Sequence, residues 1–152
     1  MKLIRILTSA FLVLTILLFF GCLTKNNPEP DPDPDPATSL DGYWDNGEIV
    51  VKIEGTEGRF YEIRSGEWLK VYQAGFIDIG SLKFDYISQL KADEFFSGQE
   101  LWHYTYNQVV EKVGWSGDGE FNLRNNGNTL YVNTINPWGS NWSKVEYTRV
   151  FP

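Results

Sequence analysis

His103 is the single histidine of this 152-residue chain and Cys22 its single cysteine. Catalytic or structural zinc needs several histidine or thiolate ligands, so the chain offers no typical zinc constellation. A nucleophile activated by His103 would need an adjacent hydroxyl and an orienting acid, and no local motif marks such a set. Flanked by Trp102 and Tyr104 in an alternating stretch, His103 reads as a strand histidine bonded to its neighbours. Paired carboxylates are the remaining route to chemistry, because glycoside hydrolysis asks only for two acids at the right folded distance. Asp93-Glu94 and Asp118 with Glu120 are the nearest candidates, both in turn-like surroundings where acids ordinarily bond the backbone. No catalytic residue, metal or cofactor is therefore expected, and a small hydrolase ranks behind binding functions.

Binding is better supplied. Residues 40–152 hold 21 of the chain's Phe, Trp and Tyr, including all six tryptophans and all eight tyrosines. A core of this size uses several such rings and leaves others for recognition. Trp102, Tyr104 and Tyr106 share one strand face while Leu101 and His103 share the other, so that one row is placed to line a cavity. Trp68, Trp102, Tyr104 and Trp115 are the candidate ligand-lining residues. Trp138 and Trp142 differ, being set in the polar turn Asn136-Pro137-Trp138-Gly139-Ser140-Asn141-Trp142. Two indoles there either sit on an exposed rim, available to sugars or to a protein, or fold back to plug a barrel mouth.

These residues are held by one domain behind a leader. Lys2 and Arg5 precede a 15-residue apolar run, Ile6 to Phe20, which has the layout of a secretory signal and is short for a membrane-crossing helix. The Gly21-Cys22 step at its end resembles the lipobox of bacterial lipoproteins. That resemblance implies cleavage after Gly21, a diacylglyceryl group on the Cys22 thiol and acylation of the new amine. Two or more acyl chains anchor stably where one does not. With its only thiol consumed, the chain has no disulfide and no cysteine nucleophile. Residues 22–39 are the tether: Pro28-Glu29-Pro30-Asp31-Pro32-Asp33-Pro34-Asp35-Pro36 lacks the amide donors and free φ angles of helix or sheet, and like charges keep it extended. The expected address is the cell envelope, lipid-anchored in the outer membrane and facing either the periplasm or the surface.

Residues 40–152 carry 10 Lys and Arg against 16 Asp and Glu, a net charge of −6. Without a basic stripe to neutralise phosphates, nucleic acid is not expected as a partner. About 113 residues suffice for one core and not two. No proline interrupts Ala37 to Asn136, and glycine-rich polar clusters recur at short intervals, as between short strands. Apolar residues alternate between the clusters: Ile49, Val51 and Ile53; Leu82, Phe84 and Tyr86 against Lys83 and Asp85; Phe121 and Leu123; Leu130 and Val132; Val145, Tyr147, Arg149 and Phe151. Half-buried antiparallel strands explain that period of two. Asn126-Gly127 and Asp118-Gly119 are read as hairpin turns. Only Glu67 to Gly75 has helical spacing, enough for a turn or two. Eight or so short strands with edges to protect favour closure, so the expected fold is all-β, a small antiparallel up-and-down barrel.

Leu40-Asp41-Gly42-Tyr43-Trp44 is similar to the Gly-x-Trp signature of the first lipocalin strand, and Tyr147-Thr148-Arg149 stands where the last strand carries an arginine. The domain looks closest to the short lipocalin-like domains of Bacteroidetes-type lipoproteins, on Ile77-Asp78-Ile79-Gly80, Gly98-Gln99-Glu100-Leu101-Trp102, Val113-Gly114-Trp115-Ser116 and Asn126-Gly127-Asn128-Thr129-Leu130 besides. The resemblance covers about residues 40–152. It implies barrel closure by Gly42, Trp44 and Arg149, with the guanidinium stacked on the indole. The leading expectation is a membrane-tethered, non-enzymatic barrel that takes a small apolar or amphipathic ligand; the alternative is a carbohydrate-binding or adhesive surface module using Trp138 and Trp142.

Overall fold

The computed structural model describes residues 39–91 and 95–151. Cys22, the tether and the Asp93-Glu94 pair lie outside the described residues. Nine strands and one helix are present among the described ones: β1 (Gly42–Asp45), β2 (Ile49–Glu54), β3 (Glu57–Ile63), α1 (Gly66–Gln73), β4 (Leu82–Lys91), β5 (Phe95–Tyr106), β6 (Val109–Trp115), β7 (Gly119–Arg124), β8 (Thr129–Ile135) and β9 (Trp142–Val150). Every pairing is antiparallel, β4 joins β5, and β1 joins β9. The sheet thus closes as an eight-stranded up-and-down barrel with β6 as an additional strand, the architecture expected from the alternation.

The inward rows make the core. Trp44, Ile49, Val51, Ile53, Phe60, Phe84, Phe121, Leu123, Leu130, Val132 and Tyr147 are buried, and Phe84 meets both Phe121 and Tyr147 edge to face, centroids 5.1 and 5.7 Å apart. The barrel is filled by its own rings over most of its length. Phe151, at the end of the last inward row, is exposed instead.

Of the two expected hairpin turns, one reverses the chain and one does not. The Asn126-Gly127 hairpin joins β7 and β8, Leu123 opposite Leu130, as a loop of four residues with Asn125, Asn126 and Gly127 at positive φ. Asp118-Gly119, however, reverses nothing. Strands β6 and β7 both run antiparallel to the long β5 and behave as one strand broken at Ser116–Asp118. At the break the Ser116 amide donates to the Glu100 carbonyl and the Ser116 hydroxyl accepts from the Glu100 amide, each at 2.9 Å. The reversal before β6 is made by Asn107 and Gln108, at φ 48° and 64°, the left-handed pair that a tight two-residue hairpin requires. The far half of β5 and all of β6 therefore form a hairpin at the end of the barrel where α1 also lies.

Strand β4 departs from strict alternation. Gly58 faces Phe84 but Arg59 faces Leu82, leaving Lys83 as the extra residue of a β-bulge. Bulges re-aim side chains. Here Lys83 and Phe84 both turn inward, and Phe84 occupies the space left by Gly58, where a Cβ would stand 2.7 Å from its ring. Lys83, read from the alternation as solvent-facing, is 2% exposed, and Tyr86, read as inward, is 69% exposed.

Candidate functional site

The buried lysine organises the end of the barrel that carries α1. Lys83 Nζ donates to Glu100 Oε1 and to the Leu101 carbonyl, both at 2.7 Å, and lies 4.0 Å from the centre of the Trp68 ring. Glu100 is equally buried, and its second oxygen accepts from the Thr134 hydroxyl, which in turn accepts from Trp102 Nε1 at 3.1 Å. Every charge at this depth is thus satisfied, a condition for a buried ion pair to persist. Burial pulls the Lys83 ammonium below its ordinary value, and Glu100 opposes that shift.

Two glycines make room. Gly98 lets β5 pass the Phe121 ring, and a Cβ on Gly119 would stand 2.8 Å from the Asn133 carbonyl oxygen and closer still to the Thr134 side chain. Gly119→Ala is expected to push Thr134 off Glu100 and to destabilise the fold by about 1–3 kcal/mol, as overpacking does. Thermal denaturation of the two proteins reads the difference.

Trp68, from α1, reaches over the pair. It meets Phe60 on one side and His103 on the other, centroids 5.1 and 4.8 Å away. His103 Nδ1 is 3.3 Å from the Thr105 hydroxyl, which donates to Glu67 of α1 at 3.4 Å. The neighbour-bonded strand histidine is therefore what the structure contains. Burial, then the nearby Lys83 charge, lowers the His103 pKa from 6.5 against the pull of Glu67 and Glu100. The folded protein then binds fewer protons than the unfolded chain as the pH falls below 6.5, so stability drops in that window and is fully present above it. His103→Gln is expected to flatten the stability profile there, measured as urea midpoints between pH 7.5 and the acid limit of folding.

A pocket of about 120 Å³ opens at this point, lined by Trp68, Lys83, Glu100, Leu101, Trp102, His103, Ser143 and Val145. Of the four sequence-predicted lining residues it brings together Trp68 and Trp102. Tyr104 and Trp115, each 37% exposed, stand apart from its wall. Tyr104 meets Trp138 edge to face at 5.9 Å, with Lys112 Nζ 4.9 Å from the Trp138 ring. Trp138 lies against Gly114, where a Cβ would approach its ring to 2.8 Å, so this indole covers the outer side of the β5–β6 hairpin. Trp142 is 54% exposed. Lys83, Glu100 and Thr134 went unnoticed in the sequence; Glu100 alone left a trace, as an acid among the apolar residues Leu101 and Trp102.

Gly42, Trp44 and Arg149, the residues the lipocalin resemblance singled out, lie together at the opposite end. Arg149 pairs with Trp44 across β9 and β1 and holds its guanidinium 4.4 Å from the indole centre. Gly42, at φ 134°, lets Arg149 come within 2.8 Å of where a Cβ would be. Asp118 accepts weakly from Gln99 at 3.4 Å, whereas Glu120 points to a groove on the outer wall. Among the described residues no group of three or more His, Cys, Asp or Glu is placed to hold a metal ion. No family model, no curated protein and no solved structure matches this chain.

Proposed function

We propose that the chain is a lipid-anchored, non-enzymatic binding protein of the cell envelope that takes a small amphipathic ligand at the mouth of a lipocalin-like barrel. The observation that carries the reading is the pocket itself, where a satisfied ion pair and a histidine stand beside Trp68, Trp102, Leu101 and Val145. Polar atoms on one side and rings on the other suit a molecule with a short apolar part and one polar group. Its 120 Å³ is small beside the roughly 300–1,000 Å³ of pockets that enclose larger ligands, so the ligand is a short one or enters only by one end. The anchor rests on the Gly21-Cys22 step behind the apolar run.

Titrating indole fluorescence with butyrate, hexanoate and palmitate tests the pocket. A saturable change with the short chains, lost in Leu101→Trp, which fills the space, is the expected result; no saturable change, or one that Leu101→Trp leaves intact, overturns it. Mass spectrometry of the mature protein is expected to find residues 1–21 missing and acyl mass on Cys22. The adhesive reading retains one supporting observation, the exposed Trp142 ring.

A further inference from the structure

The outer wall of the barrel carries a second groove, of about 560 Å³, over strands β5, β7, β8 and β9. Its walls follow from register. Phe95, Asn122 and Tyr131 are successive cross-strand partners, with Glu146 next in register at the margin, and one step along the strands Glu120, Asn133 and Lys144 form a parallel row. Partners on adjacent strands stand about 4.7–4.9 Å apart, so the two rings flank the Asn122 amide with about 9–10 Å between their strands. We propose that this groove is a binding site for a neutral oligosaccharide.

Three observations select that chemistry. First, the charge is nearly balanced: Glu120 stands with Lys144 and Arg124 in the lining, and Glu146, the cross-strand partner of Tyr131, adds a second acid at its margin, leaving little net sign to attract a phosphate chain or an acidic peptide. Second, amides and charged groups alternate with rings along both rows, offering donors, acceptors and flat apolar faces together. A polyhydroxylated ring with C–H faces uses all three, whereas the buried centre of a protein interface is depleted of charge. Third, the Asn122 side-chain oxygen is closed off from solvent and has no hydrogen-bond partner. Such an atom gains from any donor delivered to it, and a rotation of the amide brings it to a ligand hydroxyl.

In the free protein the rings are held in place by cations: Lys144 Nζ lies 4.0 Å from the Tyr131 ring centre and Arg124 5.4 Å from that of Phe95. Glu146 accepts the Tyr131 hydroxyl and, by its charge, raises the pKa of that phenol. A sugar stacked on Tyr131 displaces Lys144 from the ring, leaving it to bond a ring hydroxyl or Glu146. The site is separate from the mouth pocket; Trp142, two residues from Lys144 on the same face of β9, borders the groove without lining it.

The test is calorimetric titration of the purified protein with cellotriose, maltotriose, xylotriose and mannotriose. Saturable binding of at least one of them, weakened tenfold or more by Asn122→Ala and by Tyr131→Ala and unchanged by Leu101→Trp or Trp142→Ala, is the expected result. Asn133→Ala gives a second reading within the groove if either first variant melts early. Absence of saturable binding to all four overturns the proposal, and so does binding that survives the groove variants or disappears with Trp142→Ala.

Discussion

Glu100→Ala is expected to destabilise the barrel by about 3–5 kcal/mol, because it strands the Lys83 ammonium in the interior without its counter-charge. The geometry leaves Lys83 little alternative. It is 2% exposed, and its remaining contacts include the Leu101 carbonyl and the rings of Trp68 and Phe84, none of which carries a counter-charge. Urea unfolding would show a midpoint lowered by on the order of 1–5 M, given slopes of about 1–3 kcal/mol per molar for a domain of this size. With Glu100 gone, burial acts unopposed on the lysine and its folded pKa falls further below 10.5. Between that lowered value and 10.5 the unfolded chain binds the proton that the folded one releases, so the stability of Glu100→Ala is expected to rise with pH toward 10.5. Lys83→Met combined with Glu100→Leu is expected to recover most of the loss, since well-packed apolar replacements of buried pairs are often neutral. A single substitution costing less than about 1 kcal/mol would show that water reaches the pair and screens it.

That ion pair is also where the sequence was least legible, and the reason is physical. Alternation correctly places Ile49, Val51, Ile53, Phe84, Phe121, Leu123, Leu130, Val132 and Tyr147 in the core, because each follows from its own strand's period of two. A bulge is a property of two strands counted against each other, and nothing in Leu82-Lys83-Phe84 reveals that Gly58 and Arg59 will oppose three residues. Hairpins divide the same way. Asn126-Gly127 declares itself by residue type, whereas Asn107-Gln108 turns without a glycine, and Asp118-Gly119 has turn chemistry spent on a mid-strand break. Gly119 is small because Thr134 must pass it to reach Glu100. The mouth pocket joins residues from α1, β4, β5 and β9, so its membership is a consequence of closure and could be only half guessed, through Trp68 and Trp102. The outer groove was invisible for the same reason: its rows exist across strands.

Trp44→Ala is expected to cost about 3–5 kcal/mol, the range for deleting a large buried aromatic side chain. Trp44 is fully buried, donates Nε1 to the Leu40 carbonyl at 2.7 Å, and supports the Arg149 guanidinium. Arg149 is itself a clasp: Nε donates to the Gly127 carbonyl, Nη1 to that of Asp41 and Nη2 to that of Ser39, at 2.8, 2.6 and 2.7 Å. One side chain on the last strand thereby ties together the entry to β1 and the β7–β8 loop. Arg149→Lys keeps the charge but has no fork to span those carbonyls, so it is expected to recover only a minor part of what Arg149→Ala loses. The stacking can be separated from the clasp by a double-mutant cycle of Trp44→Leu with Arg149→Met, read from urea midpoints. A coupling of about 0.5–2 kcal/mol is expected if the guanidinium draws on the indole face. Independent, additive losses would mean that the ring only fills space and that the carbonyl clasp alone secures the base, in which case Arg149 would serve equally well above an aliphatic floor.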